Sequence, residues 1–166
     1  MLAIHRKQMR LDSKDQTGRA MYGLVRQYAG DLSRAYVRRG GKLVPLSSLP
    51  LLDFYNVVKT LPYRRDKKPV EVIGRPKVLL HGDVFTGLDC KKKAVLLGSW
   101  LRLNGRRIPG FQGWRFISVS TRPDKKIHHV FNQIKLNGRW LNLDGTYADY
   151  EPFQKKYVTK VEVLKP

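Results

Sequence analysis

The chain has one cysteine, Cys90, in the stretch GLDCKKKA that spans residues 87 to 94. The thiol falls in the first turn of an apolar helical pattern. There the positive end of the helix macrodipole, with Lys91, Lys92 and Lys93 beside it, favours the thiolate, the form of cysteine that acts as a nucleophile. Asp89 is placed to cap that helix, which leaves the N–H of Cys90 pointing toward a position where a developing oxyanion would sit. The other common role of a solitary thiol is that of a small core residue. What decides between the two is whether a base lies within reach.

Two histidines and an aspartate share one hairpin further along, in HHVFNQIKLNGRWLNLD. Its Asn137-Gly138 pair suits a type I′ turn, which needs positive φ at both central positions and therefore fixes the register of the flanking strands. With Leu136 opposite Arg139, Phe131 faces Asp144 and His129 faces Thr146. His129 and Asp144 are then diagonal neighbours on one face, roughly 7 Å or less apart at Cβ, close enough to hydrogen bond. The same alternation sends His128 to the other face with Val130, Ile134, Leu141 and Leu143, the apolar set expected to meet the core. Cys90, His129 and Asp144 together are the parts of a cysteine acyl-transfer site, in which imidazole moves protons for a sulfur nucleophile.

The elements that must position these groups are visible in the periodicity. Residues 17 to 38 place Ala20, Met21, Leu24, Val25, Tyr28, Leu32, Ala35 and Tyr36 at helical spacing, with Gly40-Gly41 as a stop. A short helix entered from Ser47 or Ser48 follows, with Pro50 in its first turn and Pro62 beyond its end. Residues 63 to 86 read as a surface connection with at most a helical turn near Val78 to Leu80. From Cys90 to Leu103 apolar residues encircle most of a helix, and Asn104-Gly105 ends it. Four strand-like runs come after it, at 114 to 120, 127 to 136, 139 to 144 and 157 to 164. Helices first and strands later predict an α+β domain with an antiparallel sheet packed on a helical layer.

Composition narrows the classes. A length of 166 residues with 42% apolar content suits one folded domain and argues against disorder. The opening MLAIHRKQMRLD lacks the apolar run of a signal peptide, and no stretch nears the roughly 18 apolar residues of a membrane span. With one cysteine and no spaced histidine ligands, neither an internal disulfide nor a structural zinc site is expected. Lys and Arg number 33 against 13 Asp and Glu, a formal charge of +20, and the basic pairs are dispersed along the chain. Such a field implies either a solvated basic surface or contact with a polyanion, nucleic acid or anionic cell wall. No helix-turn-helix pair, zinc spacing or aromatic single-strand motif supports a DNA-binding regulator.

The blocks GLDCKKKAVLLGSWLRLNGRRIP and HHVFNQIKLNGRWLNLDGTY resemble the core of the transglutaminase-like superfamily. The shared features are a Gly-x-x-Cys helix start, a loop with Gly, Ile and Pro, a His followed two residues on by an aromatic, and Trp-x-x-x-Asp-x-Thr. The likeness covers residues 87 to 147, and the whole chain looks like small bacteriophage-encoded proteins of that type, through LPLLDF and LPYRRD as well. It implies a transglutaminase-like, papain-like core within a single domain, residues 1 to 86 forming a helical N-terminal part and 87 to 166 the catalytic core. It also implies Cys90 as nucleophile, His129 as general base and acid, Asp144 as the group orienting the imidazole, and no metal or organic cofactor. Expected substrates are peptides, proteins or peptidoglycan, turned over by hydrolysis or crosslinking, in the host cytoplasm or in association with a virion. Two departures stand out: Phe131 replaces a frequent Trp, and no side-chain oxyanion donor is assignable upstream of Cys90. Gln112 or Trp114 could line the cleft, with packing the expected role for Trp114. The alternative reading is a non-catalytic basic scaffold that contacts nucleic acid or other virion proteins.

Overall fold

The computed structural model describes residues 14–66, 73–81 and 87–166; the opening stretch read for a signal peptide lies outside the described residues. Helix α1 (Lys14–Tyr28) passes into a 3-10 segment (Ala29–Arg34), then into a two-stranded hairpin of β1 (Tyr36–Arg39) and β2 (Lys42–Pro45). A second 3-10 turn (Leu46–Ser48) leads into α2 (Leu51–Thr60), and α3 (Pro76–His81) and α4 (Cys90–Asn104) follow. The remainder is an antiparallel sheet of β3 (Phe111–Ser120), β4 (His129–Leu136), β5 (Arg139–Leu143) and β6 (Lys160–Val163), in the spatial order β5-β4-β3-β6. The chain is thus a mixed α+β structure with antiparallel sheets.

Helix α4 lies between the sheet and the other helices, touching β3 and β4 on one side and α1, α2 and the first 3-10 segment on the other. That position explains why its buried residues run around nearly the whole circumference. Gly98 permits the close approach: a Cβ there would meet Phe116, Trp114 and Asn132 at 3.0 to 3.2 Å. Trp100 fills the opposite side, stacked on Phe54 with ring centroids 6.3 Å apart, and its indole N–H donates to the Leu49 carbonyl at 3.1 Å. One cluster of buried side chains runs from Met21 through α4 to Leu164, so residues on both sides of position 87 share a core.

The predicted hairpin register is the observed one, with Leu136 opposite Arg139 and Ile134 opposite Leu141. The helix expected over 17 to 38 is shorter. It stops at Tyr28, and Gly40-Gly41, read as a helix stop, is the turn of the β1–β2 hairpin, with φ of +54° and +78°. Positive φ at both glycines suits a hairpin turn better than a helix end. The 104–105 stop is also softened, since Gly105 keeps right-handed helical angles and continues into a 3-10 turn.

The stretch read as a surface connection, where described, packs inward: Ile73, Pro76, Val78 and Leu79 are buried. Asp31 anchors it. Its carboxylate accepts from Arg75 through both oxygens, with Nε at 2.7 Å from Oδ2, and from the Lys77 backbone N–H at 3.2 Å. Burial alone would raise the Asp31 carboxyl, but the Arg75 and Lys77 hydrogen bonds and charges outweigh it and hold the group below its ordinary value. Replacing Asp31 with Ala should therefore cost about 2–3 kcal/mol in urea denaturation at pH 7, because the Arg75 guanidinium loses its counterion. A depressed carboxyl contributes stability that is in place above its unfolded value and lost as pH falls through its folded one. The gap between wild type and variant should narrow below about pH 4.

Candidate active site

Asp89 caps α4 as its sequence position predicts, its Oδ1 accepting from the Lys92 N–H at 3.0 Å. Cys90 is the first helical residue, 8% exposed, at the wall of a cleft of about 870 Å³. The three lysines after it do not gather round the sulfur. Lys91 pairs with Asp89 at 3.1 Å and Lys92 with Asp66 at 2.7 Å. Lys93 turns into the core at 1% exposure and donates to the carbonyls of Thr146 at 2.8 Å and Lys59 at 3.2 Å. Burial pulls its ammonium down to about 8, against the opposing charge of Asp144. The imidazole of His129 and the side chain of Cys90, by contrast, act on each other.

His129 opens β4 opposite Val119 of β3, and its ring lies over Phe131, with centroids 5.4 Å apart. Its Nε2 meets Asp144 Oδ2 at 2.6 Å, and the side chain of Cys90 is the other neighbour that acts on the same ring. Burial on its own would lower the His129 pKa. The hydrogen bonds and charges of Asp144 and Cys90 overcome it and raise the group to about 9.

Asp144 sits just past β5, 2% exposed, where Oδ1 accepts from the Thr146 N–H at 3.1 Å and Oδ2 also meets Lys156 Nζ at 3.1 Å. Burial would raise its pKa, yet His129, Lys156 and Thr146 hold it below the ordinary value. The Tyr55 hydroxyl donates to the Asp144 carbonyl at 2.9 Å, so α2 fixes the backbone that carries the carboxylate.

The three residues singled out from the sequence are therefore together, in the order sulfur, imidazole, carboxylate. His128 is not a core residue as the alternation implied. It precedes the strand, lines the cleft, and its ring contacts Thr121 Oγ1 and the Lys126 carbonyl, each at 3.2 Å. Gln112 and Trp114 both stay out of the cleft. Gln112 accepts from the Gly138 N–H, and Trp114 packs on Tyr22 and Phe116.

Sequence reading missed Tyr63, Tyr147, Tyr150 and Lys156, which line the cleft with Cys90. Tyr63 arrives through a bridge to Leu88, two residues before the thiol, and Gly87 makes that possible. Its φ is +89°, and a Cβ would lie 2.5 Å from Arg64 Cβ. Burial raises the Tyr63 hydroxyl strongly, with added pushes from the charge of Cys90 and a hydrogen bond to Tyr147. Lys156 stands 3.2 Å from the centroid of the Tyr150 ring while it contacts Asp144. The only advance signal for this group was its density of Tyr and Lys, with no period to place it.

Among the described residues, no group of three His, Cys, Asp or Glu side chains could hold a metal ion, and no helix is long and apolar enough to cross a membrane. No family model, curated protein or solved structure matches the chain.

Because His129 is raised from about 6.5 to about 9, its charged form contributes stability that is complete below about pH 6.5 and lost as pH rises through about 9. Thermal melting of wild type and His129→Gln should differ by on the order of 3 kcal/mol at pH 6, and the difference should shrink across that interval. Lys93 works in the opposite sense above about pH 8, but it is present in both proteins and cancels in the comparison.

Proposed function

We propose that the chain is a cysteine acyl-transfer enzyme of the transglutaminase-like type, acting on an amide through a thioester at Cys90. The observation that carries this reading is one imidazole that is hydrogen-bonded to the buried Asp144 carboxylate at 2.6 Å and lines the same open cleft as Cys90, whose side chain acts on it. Asp144 holds the ring in one orientation and stabilises its protonated form, which leaves the other nitrogen for traffic with the sulfur and the leaving group.

The steps balance with these residues and water or an amine. The Cys90 thiolate attacks the carbonyl carbon, forming a C–S bond and an oxyanion for which the α4 N-terminus, including the Cys90 N–H, is the favourable pole. As the C–N bond breaks, imidazolium gives its proton to the departing amine, leaving a thioester and neutral His129. His129 then takes a proton from the incoming nucleophile, whose attack breaks the C–S bond and restores thiolate and imidazolium. Water as nucleophile makes the protein an amidase or peptidase; a primary amine makes it a crosslinker.

A second reading, a basic scaffold that binds nucleic acid without turnover, draws on the net charge of +20. It predicts salt-sensitive nucleic-acid binding that is unchanged in Cys90→Ala.

Under the enzymatic reading iodoacetamide should label Cys90 at pH 6 about tenfold or more faster than it labels glutathione, and His129→Ala should remove that advantage. Labelling no faster than glutathione would count against catalysis. Incubation with peptides, murein fragments and amine donors should then give an acyl adduct on Cys90 by mass spectrometry, absent in Cys90→Ala.

A further inference from the structure

The cleft that holds the thiol is unevenly charged. Among the described residues that line it the carboxylates are Asp66 and Asp89, and both are committed, to Lys92 at 2.7 Å and to Lys91 at 3.1 Å. Lys156 is likewise committed to Asp144. That leaves Arg65, after α2, Arg122, in the β3–β4 loop, and Lys155, before β6, all three exposed and all lining the cleft. Among the described residues no ion pair engages any of the three. They come from three separate stretches of chain and converge on one concavity, which a merely dispersed basic surface does not require. Hydroxyls of Tyr63, Tyr147 and Tyr157 add hydrogen-bonding groups to the same walls.

We infer that the acyl donor is an acidic peptide, with carboxylates flanking the amide that Cys90 attacks. This rests on the acyl-transfer reading and adds the substrate class. Uncompensated cations in a concave site raise the local concentration of anions and reward their desolvation by charge-assisted hydrogen bonds. A peptide fits the observations better than a nucleic acid. The cleft of about 870 Å³ is within the usual range of small-ligand pockets and suits a few extended residues, whereas a duplex needs a broad open face. The cations also surround a nucleophile whose chemistry is aimed at carbonyl carbon.

Paired alkylating reagents separate charge recognition from thiol reactivity. Iodoacetate and iodoacetamide attack the same sulfur and differ in one carboxylate. For the full chain, the iodoacetate to iodoacetamide rate ratio at Cys90 should exceed that of glutathione about tenfold at low salt and fall about threefold or more in 0.5 M NaCl. The exposed triple variant Arg65→Gln, Arg122→Gln, Lys155→Gln should lower the ratio about fivefold while its melting temperature stays near that of wild type. A blocked pentapeptide with glutamates around a central glutamine should protect Cys90 at lower concentration than its all-glutamine counterpart, and than oligothymidylate. Fast iodoacetamide labelling with an ordinary ratio, or a ratio the triple variant does not move, would overturn the acidic-substrate inference and leave acyl transfer standing. Protection strongest with oligothymidylate would overturn it in favour of nucleic acid. Slow labelling by both reagents would remove the acyl-transfer reading and the inference with it.

Discussion

A single buried anion organises this molecule's cleft. Asp144 is 2% exposed, and a carboxylate at that depth is tolerable only with its charge and lone pairs answered. One oxygen is shared by the His129 ring and the Lys156 ammonium, and the other accepts from the Thr146 backbone. Four elements must be in register for this to happen: β4 supplies the imidazole, the end of β5 the carboxylate, α2 the Tyr55 hydroxyl that holds its backbone, and the stretch before β6 the lysine. The geometry of the candidate site and the closure of the sheet against the helices share these contacts.

Lys93 shows how far charge is used structurally here. Lys93 lies three residues past the thiol, yet its ammonium is a clamp between the end of α2 and the segment after β5, through the Lys59 and Thr146 carbonyls. It ties α4, which carries the sulfur, to the loop that carries Asp144. Its depressed pKa is the electrostatic cost of that position. The run of three lysines is divided among Asp89, Asp66 and the core, and the His129 ring is the group on which the charge of Cys90 acts.

The parts of this arrangement that local chemistry determines were legible in the sequence. Asn137-Gly138 dictates a tight turn, the turn dictates register, and register puts His129 beside Asp144. The continuous apolar circumference of α4 and the Asp89 cap are equally local. What was not legible depends on partners distant in sequence. Tyr36 continues the helical spacing of α1, yet it is in a strand because two glycines turn the chain back. The segment around α3 has too much Pro, Gly and charge to look buried, and it is buried because Arg75 finds Asp31. Tyr63 follows a proline with no period around it, and only the bridge to Leu88 brings it to the thiol.

The candidate site depends on His129 answering to both the sulfur and the carboxylate, and titration of its imidazole by NMR reads that dependence directly. The wild-type ring should titrate near pH 9 and move toward about 6.5 in both Cys90→Ala and Asp144→Asn. A ring that already titrates near 6.5 in the wild type, or one that ignores removal of the sulfur, would contradict it.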